Sequence, residues 1–230
     1  MKRLSASTTL SLALSFAMSL TVGACADAED DHDDDGHDDH DHDDHGHDNE
    51  TEVLTTVTLT LTPAGGGAPV TASFRDLDGD GSMSGTSDPL TLVAGTDYTL
   101  GVSFLNELEN PPEDITEEIE KEAEEHQVFV YGSAVVGPAT SNDPSAILLH
   151  AYADMESDYG PNAGDDLPVG LANTIGAQAA GTGELQIMLR HLTLLNGNDQ
   201  KVAGLADLLA RGEALPGDVD VDVTFTVTVQ

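Results

Sequence analysis

Basic residues are almost missing from this chain: 7 Lys and Arg stand against 43 Asp and Glu, giving a formal net charge of −36. That scarcity excludes nucleic acid and anionic lipid surfaces as partners, because both are recognised through basic patches. It favours cations, although acidity also serves solubility in a saline habitat. Cysteine occurs once, at Cys25, so no intramolecular disulfide can form. Trp is absent and Phe and Tyr are few, which leaves Val, Leu, Ile and Ala to build any core. Catalytic signatures are missing too. There is no nucleophile elbow, HExxH helix, phosphate loop or dinucleotide fingerprint, and no spacing pairs a serine with a histidine. The chain reads as non-enzymatic.

Long apolar runs are also lacking. The one candidate, Leu10 to Val22, follows Lys2 and Arg3 and is too short and serine-rich for a comfortable membrane span, which fits a signal peptide over 1–24. It ends in Leu20-Thr21-Val22-Gly23-Ala24-Cys25. This resembles the lipobox of bacterial lipoproteins, which implies a lipidated Cys25 as mature N-terminus. Several acyl chains anchor stably at about 0.8 kcal/mol per buried methylene. Ala26, rather than an inner-membrane retention Asp, follows the cysteine. The expected location is the outer membrane, facing the periplasm or the cell surface.

What is abundant comes next. Residues 25–51 carry His32, His37, His40, His42, His45 and His47 among carboxylates, with no basic or large apolar side chain. Such a segment cannot bury enough surface to offset its ordering entropy and reads as a disordered tether. Imidazole suits zinc and similar divalent transition metals, and carboxylates add oxygen ligands. A flexible chain folds three or four of these histidines around an ion with modest affinity and releases it as they protonate near pH 6. Solubility alone does not call for histidine.

Residues 52–230 read as one domain with a real core. Val57 to Thr62 alternates apolar residues with threonine, the mark of a half-buried strand. Pro63 and the glycines at 65–67 end it, and Val70 to Phe74 returns. Leu90 to Val93, Tyr98 to Phe104, Val128 to Tyr131, Ala146 to Ala153 and Glu184 to Leu195 are further strands, and Val219 to Val229 alternates most cleanly. Asp114 caps a short helix whose apolar stripe is Ile115, Ile119 and Ala123. Val202 to Leu209 offers a helical turn or two. About eight strands with turn residues between them predict an all-β fold, an antiparallel immunoglobulin-like sandwich with a short helical insertion.

Two further constellations stand out in the domain. Asp76, Asp78 and Asp80 with Gly81 have the start of an EF-hand loop, but the twelfth position is Ser87 and a strand precedes the loop. A weak Ca²⁺ site, with Asp88 as a substitute ligand, is the expectation, and a plain Asp/Gly turn the alternative. Among the domain histidines, His191 shares parity with Leu185, Ile187 and Leu189, His150 with Tyr152, and His126 follows Glu125. If His126 and His191 converge, with Glu125 or Asp154 as partner, they form a second, ordered metal site. Strand histidines are also common as packed, hydrogen-bonded residues.

Several pieces together resemble a family of small lipoproteins from Bacteroidetes: Glu52-Val53-Leu54-Thr55-Thr56-Val57, Phe74-Arg75-Asp76-Leu77-Asp78-Gly79-Asp80-Gly81, Ile115-Thr116-Glu117-Glu118-Ile119, Glu125-His126-Gln127, Gly183-Glu184-Leu185 through Leu189-Arg190-His191, and the Val219–Val229 strand. Members are often labelled type 1 periplasmic binding fold proteins, which implies an α/β architecture. The length and the strand pattern here imply the sandwich instead. The expected function is a lipid-anchored protein that concentrates a divalent metal, zinc foremost, for an envelope receptor or transporter. The alternatives are a structural or adhesive surface lipoprotein stiffened by calcium, and a lipoprotein that binds a soluble substrate.

Overall fold

Period-two alternation organises most of the domain. The computed structural model describes residues 53–76, 85–141, 143–162 and 164–230, all within one compact unit, His47–Gln230. The expected signal peptide, Cys25, the six tether histidines, Asp78 and Asp80 lie outside the described residues.

Strands β1 (Thr56–Pro63), β2 (Val70–Arg75), β3 (Thr86–Ser87), β4 (Leu90–Leu92), β5 (Thr96–Asn106) and β6 (Glu113–Asp114) lead into helix α1 (Ile115–Lys121). Then come β7 (His126–Tyr131), β8 (Val135–Val136), β9 (Leu148–Tyr152), β10 (Ala172–Ala177) and β11 (Gly181–His191), with helix α2 (Leu205–Ala210) before β12 (Asp218–Val229). One sheet runs β3-β2-β1-β5-β10-β9-β8 with β6 attached to β5, and the other runs β4-β12-β11-β7. The fold is all-β with little helix.

The expectation of wholly antiparallel sheets needs correction, because β4 joins β12 and β8 joins β9 in parallel. Both incoming strands are very short and reach their neighbours through long connections. Only a tight hairpin turn would have imposed an antiparallel direction.

The core follows the pleat. Val57, Leu59 and Leu61 of β1 lie in one apolar cluster with Leu100, Val102 and Phe104 of β5, Leu185, Ile187 and Leu189 of β11, and Val221 to Val229 of β12. Each such burial contributes about 1.5–3 kcal/mol, and a one-residue slip would turn a whole strand's set to solvent. Val219 breaks the expected pattern and is 45% exposed. The β11–β12 register shifts there: Leu189 pairs with Val221 but Arg190 with Val219, so Asp220 is the extra residue of a β-bulge.

Helix α1 sits where the sequence places it. Asp114 accepts the Thr116 amide at 3.0 Å, and Ile115, Ile119 and Ala123 are buried. The Thr116 hydroxyl accepts from the Phe104 amide at 2.9 Å and donates to the Phe104 carbonyl. The helix is thereby fixed to β5, and its last turn is delivered to the start of β7. No helix among the described residues is long and apolar enough to cross a membrane.

Candidate metal centre

Strands β7 and β11 are antiparallel neighbours, and their register sets His126 directly opposite His191. The two rings stack with centroids 4.4 Å apart and planes 13° from parallel. His126 lies 3.2 Å by Nδ1 from the Glu122 carbonyl oxygen. A carbonyl only accepts, so Nδ1 carries the proton and the lone pair resides on Nε2. Burial, reinforced by the neighbouring His191, brings the His126 pKa down to about 4. At neutral pH it is therefore an uncharged imidazole, the form that ligates metals.

Two glutamates flank the pair. Glu122 closes α1 as its C-cap, and its Oε2 lies 4.0 Å from His126 Nδ1. Glu125 Oε2 lies 3.9 Å from His191 Nε2. One donor atom from each of Glu122, His126 and His191 falls within 4.8 Å of the others. A tetrahedral zinc with bonds of about 2.1 Å holds its ligand atoms about 3.4 Å apart, and the 4.8 Å limit on these donors leaves a gap of at most about 1.4 Å. The Glu122 side chain, 30% exposed against 0% for His126, has the room to close it. Two imidazoles and a carboxylate suit zinc or a similar divalent transition metal.

The backbone carrying these glutamates is clamped from behind. Lys201 donates from Nζ to the Ala123 carbonyl at 2.6 Å and pairs with Glu156 Oε1 at 2.7 Å. Both side chains are buried. Burial lowers the Lys201 pKa while the Glu156 carboxylate pulls it back up. Outside the clamp, Glu124, Asp165 and Asp199 line a cleft with Glu156 and Lys201, an acidic rim that raises the local concentration of cations.

The other expected site residues fall elsewhere. Asp154, considered as a partner for the histidines, instead accepts from the amides of Gly170 and Ala172 and from the Tyr159 hydroxyl, each at 2.8 Å. His150 is packed in the larger sheet. Its Nε2 donates to Asn173 Oδ1 at 2.9 Å, and Asn173 is oriented by its own bond to the Gly170 carbonyl. Of the calcium set, Asp76 is buried at the end of β2, with its amide on the Thr55 carbonyl. Asp88 holds the Ser73 amide and Arg75.

Glu122 was not anticipated. Its signal was present as Glu-x-x-x-His, one helical turn before His126. Lys201 had none, since only the fold brings it under the loop. The chain matches no protein-family model, no curated protein and no solved structure.

Proposed function

We propose that this protein is a lipid-anchored, non-enzymatic metal-binding protein of the cell envelope that gathers zinc or a similar divalent ion for an envelope partner. The convergence of His126 and His191 with Glu122 carries the reading. Residues far apart in sequence supply neutral imidazole and carboxylate donors within 4.8 Å, in a chain whose charge attracts cations. The tether histidines, His32 to His47, add a loose, high-capacity set beside the ordered one. The lipobox-like residues Leu20 to Cys25 support anchoring at the outer membrane. We read the two sheets, which share one core, as an immunoglobulin-like sandwich serving as the docking module.

Zinc calorimetry on three full-length chains tests this. The native chain is expected to bind several ions. A chain with the six tether histidines replaced by asparagine should keep one ordered site. Adding His126→Asn and His191→Asn should abolish that site. Unchanged zinc binding after both domain histidines are replaced overturns the reading.

A further inference from the structure

Glu156 is where two loops meet. It lies in the connection between β9 and β10, its side chain is only 4% exposed, and both carboxylate oxygens are engaged. Oε1 pairs with Lys201 Nζ at 2.7 Å, across from the connection between β11 and α2. Oε2 accepts from Asn162 Nδ2 at 2.6 Å and from the Leu167 amide at 3.3 Å. The Asn162 carboxamide is held at its other end too, because Oδ1 accepts from the Gly164 amide at 2.7 Å. Lys201, Glu156 and Asn162 all line the same cleft. A buried ion pair by itself adds little over a well-packed apolar pair. A buried amine and a carboxamide that share one carboxylate can do more, because they can react with each other.

We propose that Lys201 and Asn162 join in an intramolecular isopeptide bond, with Glu156 carrying protons between them. The ion pair is the reactant state, and nothing in the step depends on a metal. Lys201 passes a proton to Glu156, and burial, the largest influence on the lysine, favours the neutral amine that results. The Nζ lone pair attacks Asn162 Cγ, and the carbonyl electrons move onto Oδ1, where the Gly164 N–H meets the developing charge. Glu156 gives its proton to Nδ2, which it already touches, and relays a second one from Nζ. The Cγ–Nδ2 bond breaks and Nδ2 leaves as ammonium. One amide bond replaces another, Glu156 is a carboxylate again, and no oxidant or co-reactant is consumed. Attack requires Nζ and Cγ about 3–3.5 Å apart. Of the three side chains, Asn162 is the half-buried one on a loop, and it makes that closing movement. The bond ties together the connections that flank β10 and β11, constraining the unfolded chain as a disulfide would. The domain has no cysteine with which to form one.

Mass spectrometry of the full chain, denatured and digested with trypsin, tests the proposal. The native chain should give one linked species that joins the peptide carrying Asn162 to the peptide carrying Lys201. That species should be lighter by one ammonia than the two peptides together, and trypsin should no longer cut after Lys201. Asn162→Ala and Glu156→Gln should each release the two peptides separately, with cleavage after Lys201 restored. Asn162→Ala alters a part-exposed side chain, so circular dichroism should show it folded even if Glu156→Gln is not. Separate peptides of full sequence mass from the native chain overturn the proposal. So does a loss of ammonia with normal cleavage after Lys201, which marks an asparagine cyclised on its own backbone. A link that forms equally in folded Glu156→Gln overturns the part assigned to Glu156.

Discussion

His126 and His191 stand face to face at 4.4 Å, yet only His126 is sealed from water, at 0% exposed against 14% for the His191 side chain. Charging the inner ring is therefore costly, and His126 carries a pH signature. The His126 pKa falls from 6.5 to about 4 on folding, so the unfolded chain binds the extra proton across that window. Its stabilising contribution is complete above about pH 6.5 and is lost as pH falls through 4, up to roughly 3 kcal/mol. Asp220 acts in the opposite sense, because burial pushes its carboxyl from 3.8 up to about 6 and the folded state gains the proton first. Urea midpoints at neutral and mildly acidic pH should decline less in His126→Asn and more steeply in Asp220→Asn. Parallel declines in all three proteins would show that neither group titrates as assigned.

Glu122→Gln tests the oxygen ligand with little structural confusion, since the side chain is partly exposed. Zinc affinity should fall by at least tenfold, while the urea midpoint of the metal-free protein moves within about 0.5 kcal/mol. Glu125→Gln, outside the tight donor group, should have a smaller effect on affinity. Isothermal titration of both variants gives the ranking.

Lys201→Met leaves Glu156 buried without its cation and should cost about 3–5 kcal/mol. The double variant Lys201→Met/Glu156→Gln should recover part of that loss, which a double-mutant cycle by urea unfolding measures. Because Lys201 also holds the Ala123 carbonyl, zinc affinity should drop in both, following the loosened Glu122.

Gly217→Ala and Gly212→Ala separate crowding from backbone strain. Both glycines have left-handed φ, +71° and +69°, but a Cβ at Gly212 meets open space whereas one at Gly217 meets the His191 carbonyl oxygen. Gly212→Ala should cost about 1 kcal/mol and leave zinc binding intact. Gly217→Ala should cost more and weaken zinc binding as well, by displacing His191.

Much of this architecture was legible from periodicity, because half-buried strands must alternate. The strand from Val57, the Tyr98–Phe104 face, the Val221–Val229 face and the Asp114 cap were all readable that way. Strand β10 was not. Ala172 to Ala177 lies inside a sheet between β5 and β9, and its small residues carry no alternation. The strand read as far as Leu195 stops at His191, and Leu194 and Leu195 are exposed. His126 and His191 stand out in the sequence, but their meeting depends on the β7–β11 register, which is non-local. Asp220 was hidden because a bulge in a clean alternation leaves no local mark.

That register has a thermodynamic corollary. His126 and His191 are neighbours only once β7 has found β11, whereas the tether histidines are neighbours in sequence and so in any state of the chain. An ion that binds the ordered centre distinguishes folded from unfolded protein and raises the unfolding temperature in proportion to the logarithm of its concentration. An ion held by those sequence-adjacent histidines without help from the fold would bind both states alike and leave that temperature where it was. Melting curves across a zinc series thus count only the ions that require the fold.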